Sequence, residues 1–312
     1  MKRRIIFIPM IIILVSIAAI YLIKLSINFK ISAISITEKT ASSKIAERKF
    51  SIRSGYTVHV YGKKKILNGK KKVPLVIFMC GTGCSTTEQV RSSGWKDLTV
   101  KENLIVAAPE YDNASTYSET NYITSVVKRI KNDYPIDSHR IYSTGFSNGG
   151  ATSVALTSTH PELFAGIAAY GWMVDMENIN NHAKKSGMPF LVLQGTKEFI
   201  EKNENGDPMV MADERTAIRS LMKYDKLISF KTKTDYAQTP YWGYKPDKKW
   251  TKKVDGAVWN FNNYYKKGYK HPFAQFILVK NAEHVTHKSE AYYTWKFLKH
   301  FKRVENDIVE IK

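Results

Sequence analysis

Cysteine is nearly missing from this chain: Cys80 and Cys84 are the only two in 312 residues. A disulfide-stapled scaffold is thereby excluded, and two thiols without nearby histidines cannot build a structural zinc site. The pair reads as free thiols, behaving as small hydrophobes. Acidic residues are also scarce, 28 Asp+Glu against 48 Lys+Arg, giving a formal net charge of +20. No zinc-finger spacing or RNP-like aromatic motif accompanies that charge, so it offers no ground for a nucleic-acid partner. The excess lysine suits a solvated surface, and the partners such a charge attracts are anionic cell-surface polymers and lipid head groups. No internal repeat marks a solenoid or propeller.

What is present begins with a long apolar run. Ile5 to Ile23 is interrupted only by Pro9 and Ser16 and follows Lys2-Arg3-Arg4. As a helix it would span about 28 Å, close to the hydrocarbon thickness of a bilayer. It is longer than a signal-peptide core and no small-x-small site follows closely. Residues 1–28 are therefore expected to be an uncleaved signal anchor, basic end in the cytoplasm, with the remainder extracytoplasmic. Cleavage of the leader would instead release a secreted protein. Residues 29–50, rich in Ser, Thr and Lys, read as a stalk, 51–304 as the folded domain and 305–312 as a tail. Within the domain, Lys63-Lys64-Lys65 and Lys70-Lys71-Lys72 bracket Asn68-Gly69, which signals a hairpin.

Short apolar runs at Val73–Cys80, Leu104–Pro109, Ala165–Tyr170 and Met188–Gly195 have the look of strands buried on both faces. Helical periods lie between them, for example Glu119 to Tyr134 with Tyr122, Val126, Val127 and Ile130 on one face. Such alternation predicts an α/β fold with a mostly parallel sheet and helices on both sides. At its centre stands Ile141-Tyr142-Ser143-Thr144-Gly145-Phe146-Ser147-Asn148-Gly149-Gly150, a β-prone run that turns through Gly-x-Ser-x-Gly into a helix-prone one. That context is a nucleophile elbow, whose strained turn needs small neighbours at −2 and +2. The following helix directs its free N–H groups and positive dipole end at Ser147. Gly81-Thr82-Gly83, just past the first buried strand, is placed to supply backbone donors to an oxyanion. The expected pair is the amides of Thr82 and Asn148.

In an elbow protein the acid and then the histidine follow the serine along the chain. Gly195-Thr196-Lys197-Glu198 comes directly after a buried strand, which makes Glu198 the expected acid; Asp207 and Asp213 remain as alternatives. His284 follows the last strand, Phe273–Val279, and is the expected general base, with His287 as its near rival.

The residues Pro74–Gly83, Arg140–Gly150, His160-Pro161-Glu162-Leu163-Phe164-Ala165 and Gly195-Thr196 together resemble the polyhydroxybutyrate-depolymerase-like esterases, which include feruloyl and acetylxylan esterases. The resemblance extends over most of Val73 to Phe301. It implies an α/β-hydrolase fold, export, and hydrolysis of carboxylic esters through Ser147, Glu198 and His284 with no metal or organic cofactor. Three positions depart from the family pattern. Cys80 stands where His is usual, Glu198 where Asp is usual, and Asn281, Ala282 and Glu283 where glycines commonly precede the histidine.

Residues 235–270 read as an insertion crowded with aromatics, among them Tyr241, Trp242 and Tyr244, which are expected to wall a phenolic acyl group or a sugar ring. The same aromatics would equally suit a satellite core beneath a long loop. Two rival functions keep the fold: a surface binding protein without activity, and a serine peptidase or acyltransferase.

Overall fold

The computed structural model describes residues 45–174 and 187–311. The expected anchor and the first part of the expected stalk lie outside the described residues. Among those described, no helix is long and apolar enough to cross a membrane.

One ten-stranded sheet organises the domain. In chain order its strands are β1 (Ile45–Arg53), β2 (Tyr56–Lys63), β3 (Val73–Met79), β4 (Ile105–Pro109), β5 (Ile136–Phe146), β6 (Gly166–Tyr170) and β7 (Phe190–Gly195). After the small hairpin β8 (Ile200–Lys202) and β9 (Pro208–Val210) come β10 (Lys248–Val254), β11 (Ala257–Tyr264) and β12 (Ala274–Val279). The spatial order is β1-β2-β4-β3-β5-β6-β7-β12-β11-β10. From β4 across to β12 neighbouring strands run parallel, while β1–β2 and β11–β10 close the two edges antiparallel. The central strands are apolar at nearly every position because helices cover both faces, so both sets of alternating side chains are buried. This is the expected α/β-hydrolase arrangement.

Two apolar cores flank the sheet. On one face Ile77, Ile167, Val192 and Phe276 pack with α3 (Thr120–Asp133) and α5 (Ala212–Tyr224). On the other, Phe78, Tyr142, Ile277 and Trp259 pack with α2 (Trp95–Lys101) and α6 (Glu290–Leu298). Helix α1 (Thr86–Ser92) lies beside the loop after β3, and α4 (Asn148–Thr159) is buried along almost its whole length.

Several sequence expectations are corrected here. The expected stalk ran to residue 50, but β1 begins at Ile45, where its residues pair with β2 and gain backbone hydrogen bonds a stalk would lack. Asn68-Gly69 does not close a hairpin: Lys64–Leu67 form one helical turn, and β4 lies between β2 and β3. The tail at 305–312 is not free, since β13 (Phe301–Val304) and β14 (Asp307–Glu310) pair and bury Ile308. The middle of the supposed insertion is sheet, with β10 and β11 extending the main sheet beyond β12. Trp259 and Phe261 alternate with Asn260 and Asn262, so one face of that hairpin joins the core and the other is polar.

Candidate active site

The site lies at the carboxyl ends of the parallel strands, built upward from β5. Its last residue, Phe146, is followed by Ser147 with φ 54° and ψ −123°, a strained conformation for a residue with a side chain. The turn is held by the Ser147 N–H donating to the Tyr170 carbonyl at 2.7 Å. Strand and helix approach so closely that a Cβ on Gly149 would collide with the Met79 carbonyl, which gives the glycine of the motif a steric cause. Both cysteines are free, Cys80 buried and Cys84 exposed.

Glu198 and His284 come from loops after β7 and β12, which are parallel neighbours. These loops are stitched together: Thr196 N–H donates to Val279 O at 3.0 Å, Lys197 N–H to Ala282 O at 2.9 Å, and Asn281 N–H to Thr196 Oγ1 at 2.8 Å. Asn281 takes the left-handed φ of 60°, which asparagine tolerates, and so does the conformational work of a glycine there. Glu198 Oε2 lies 2.6 Å from His284 Nδ1, and its Oε1 accepts from the Gly195 N–H at 2.6 Å. The extra methylene relative to Asp is taken up in this local turn. The imidazole sits between Phe146, 4.5 Å away between ring centres, and Phe199 at 5.1 Å. An ionised Glu198 fixes the proton on Nδ1 and leaves Nε2 as the acceptor.

Gly171, at φ +73°, borders the pair so tightly that a Cβ would stand 2.7 Å from both Glu198 Oε2 and His284 Cε1. The alternatives lie elsewhere. Asp207 is bonded to Asn203 in the turn between β8 and β9, and Asp213 is exposed at the cavity wall. His287 packs edge-on against Trp259, and burial holds its ring below the usual histidine range.

The loop Cys80–Gly83 is clamped by residues that sequence reasoning missed. Gln89 Oε1 accepts from Gly81 N–H at 2.8 Å, and the Tyr111 hydroxyl donates to Cys80 O at 2.7 Å. Asn113 is the hub. Its amide donates to Gly81 O at 2.9 Å, its Oδ1 accepts from Gly83 N–H at 3.3 Å, and its carbonyl accepts from Thr82 Oγ1 at 2.6 Å and Asn148 Nδ2 at 2.7 Å. One residue thus ties Thr82 to Asn148, and the clamp does not need the histidine that Cys80 replaces. These partners lie roughly thirty positions apart in the chain, so no local motif announces them.

A cavity of about 380 Å³ opens at Ser147, lined by Trp172, Phe199, Met211, Ala212 and Asp213. Behind its wall lies Glu214, the first-turn acid of α5, whose Oε2 accepts from Met211 N–H at 3.1 Å while Oε1 is buried without a partner. Burial, with Glu198 adding like charge, pushes its carboxyl up to about 8. Burial likewise holds Glu290, which accepts from His287 N–H at 2.6 Å, well above the usual carboxylate range. Tyr241, Trp242 and Tyr244 do not line this cavity but a second one on β10 and β11; Trp242 and Tyr244 are buried, Trp242 against Phe276. The link between the two is backbone. Tyr241 N–H donates to Pro208 O at 2.7 Å and Val210 N–H to Tyr241 O at 3.2 Å, so the loop props the segment that leads into Met211. Among the described residues no cluster of three or more metal-ligating side chains occurs.

The fold and the elbow define an α/β-hydrolase-type protein. Residues 111–243 match the profile of the Prolyl oligopeptidase family, a segment that includes Ser147 and Glu198 and stops before His284. The chain is 26% identical over 103 residues to a bifunctional acetylxylan esterase/xylanase of Neocallimastix patriciarum, covering 31% of this chain and 15% of that protein. It is 27% identical over 121 residues to a poly(3-hydroxybutyrate) depolymerase of Ralstonia pickettii, covering 32% and 25% respectively. It therefore spans a quarter or less of each of these curated relatives. An acetyl xylan esterase from Aspergillus awamori superposes with a TM-score of 0.55 at 12% identity, over 82% of this chain and 98% of that one. A feruloyl esterase module from Clostridium thermocellum complexed with sinapinate gives 0.51 at 12% identity, over 80% and 84%. The similarity is thus to esterases of the α/β-hydrolase fold.

Proposed function

We propose that this chain is a serine hydrolase of carboxylic esters. The observation that carries this reading is the 2.6 Å contact of buried Glu198 with His284 Nδ1, on an imidazole packed against Phe146, the residue that leads into a serine held in a strained elbow. His284 Nε2 takes the proton of Ser147 as Oγ attacks the ester carbonyl. The amides of Thr82 and Asn148 receive the developing oxyanion. The tetrahedral adduct collapses as the same imidazole protonates the departing alcohol. Water, deprotonated by His284, then attacks the acyl-enzyme and regenerates Ser147 with release of the acid. Glu198 orients the ring and stabilises its charged form throughout.

The cavity walls Trp172, Phe199 and Met211 suit the acyl part, of hydroxyalkanoate, feruloyl or acetyl type. The basic start and apolar run of the chain support a membrane anchor with the enzyme outside the cell, and its charge supports anionic surface polymers as partners. A fluorophosphonate probe should label the full-length chain and not Ser147→Ala. An ester panel of acetylated xylan, methyl ferulate and short hydroxyalkanoate oligomers ranks the substrates; no labelling and no turnover would leave a binding protein on this fold. The Prolyl oligopeptidase match favours a second reading, peptidase activity, which aminoacyl anilides run against p-nitrophenyl esters would separate.

A further inference from the structure

A second cavity, of about 870 Å³, lies on the polar face of the hairpin β10–β11 and beneath the loop 238–247. The register fixes what faces it. Lys249 pairs with Asn262 and Thr251 with Asn260, so these four side chains share one face of the sheet, and Lys245 reaches the same cavity from the loop. Lys245 and Lys249 are exposed and have no hydrogen-bond or ion-pair partner, while the one acid lining the cavity, Asp247, accepts from the Tyr265 N–H at 2.7 Å, so the cationic side chains outnumber it two to one. Asn260 and Asn262 donate only long bonds of 3.4 Å, to the carbonyls of Leu278 and Phe276, and their Oδ1 atoms remain open as acceptors. Tyr241 lines the cavity with a φ of 70°, a costly conformation for an aromatic residue. Guarding of a sheet edge by lysine accounts for Lys248 and Lys252, which point to the opposite face. It does not account for amides, a strained tyrosine and unpaired ammonium groups gathered in one cavity.

We infer that this cleft binds an acidic polysaccharide chain. Two ammonium groups meet carboxylates, Asn oxygens and the Thr251 hydroxyl meet ring hydroxyls, and Tyr241 offers a ring face to a sugar. The β9–Tyr241 pairing joins the cleft to the segment leading into Met211, which walls the Ser147 cavity, so a polymer lying here would be held near that cavity. Only this last relation rests on the esterase reading; the binding does not.

The test is affinity electrophoresis of full-length Ser147→Ala protein through gels containing polygalacturonate or neutral arabinoxylan. Esterase activity plays no part in this readout, so failure here and failure of the proposed reaction are separable. Polygalacturonate should retard the protein, with an affinity that falls as salt is added. The pair Lys245→Gln/Lys249→Gln should lose about tenfold to thirtyfold in affinity. Lys71→Gln/Lys72→Gln, which removes the same charge just before the interior strand β3, well away from β10, should change it by less than about twofold. Asn260→Ala/Asn262→Ala provides a neutral variant that should weaken binding by several-fold, with circular dichroism confirming its fold. Equal losses in the two lysine pairs, equal retention by arabinoxylan, or no retardation of the starting protein would each overturn the inference.

Discussion

The cavity at Ser147 and the cleft on β10–β11 are built on opposite principles. Around Ser147 the polar side chains that shape the site are committed to internal partners: Glu198 to Gly195 and His284, Gln89 to Gly81, Asn113 to Gly81 and Gly83. In the cleft on β10–β11 lysines and amide oxygens are left open to solvent. The contrast has a physical reason. Reaction geometry tolerates little displacement, so its groups are fixed before substrate arrives, whereas a site for a hydrated polymer needs donors and acceptors still unsatisfied.

If the serine site works by fixed geometry, small disturbances there should cost far more than their size suggests. The largest effect is expected from His284→Ala, a loss of about 10³–10⁵ in kcat with p-nitrophenyl acetate, while His287→Ala should stay within several-fold. Comparable losses in both would break the assignment of the base. Next comes Gly171→Ala, which adds a single methyl group 2.7 Å from Glu198 Oε2 and His284 Cε1. A drop of about 10² in kcat, with the fold retained by circular dichroism, is expected. Asn113→Ala loosens the loop that presents Thr82 and should cost roughly 10–10² in kcat with KM little changed. The same variant should lose affinity for a boronic acid in proportion, since only the tetrahedral adduct uses the oxyanion donors.

The smallest effect concerns stability. Glu214 keeps its proton in the folded chain up to about 8, against an ordinary value of 4.5 for a solvated glutamate, so the folded state binds more protons between those limits. Its contribution is complete below 4.5, declines as pH rises through that window, and is lost once pH passes 8. Glu214→Gln removes the titration and should melt a few degrees higher than the parent near pH 8, at roughly 2–4 °C per kcal/mol, with a smaller gap near pH 5. An equal gap at both pH values would show that burial of this acid is not what makes stability fall.

The serine turn was legible because it is local: Gly-x-Ser-x-Gly between a strand run and a helix run contains its own steric explanation. The acid was only narrowed by the sequence, since Glu198, Asp207 and Asp213 all follow β7 and nothing in their neighbours says which meets His284. Asn68-Gly69 misled because a turn signal does not reveal that β4 will lie between the two strands it separates. The stretch 235–270 misled in a similar way, its alternating residues belonging to a paired hairpin rather than to a loop over the serine.

By itself, then, the sequence determined the buried strands, the mostly parallel character of their sheet and the strained serine, all consequences of hydrophobic patterning and of glycine at close approach. Only the tertiary structure decided which carboxylate touches the imidazole, that Asn113 ties Thr82 to Asn148, and that Tyr241 faces a second cavity. Those relations depend on side chains from strands and loops far apart in the chain. Their distances are fixed by how the sheet packs and not by any spacing along it.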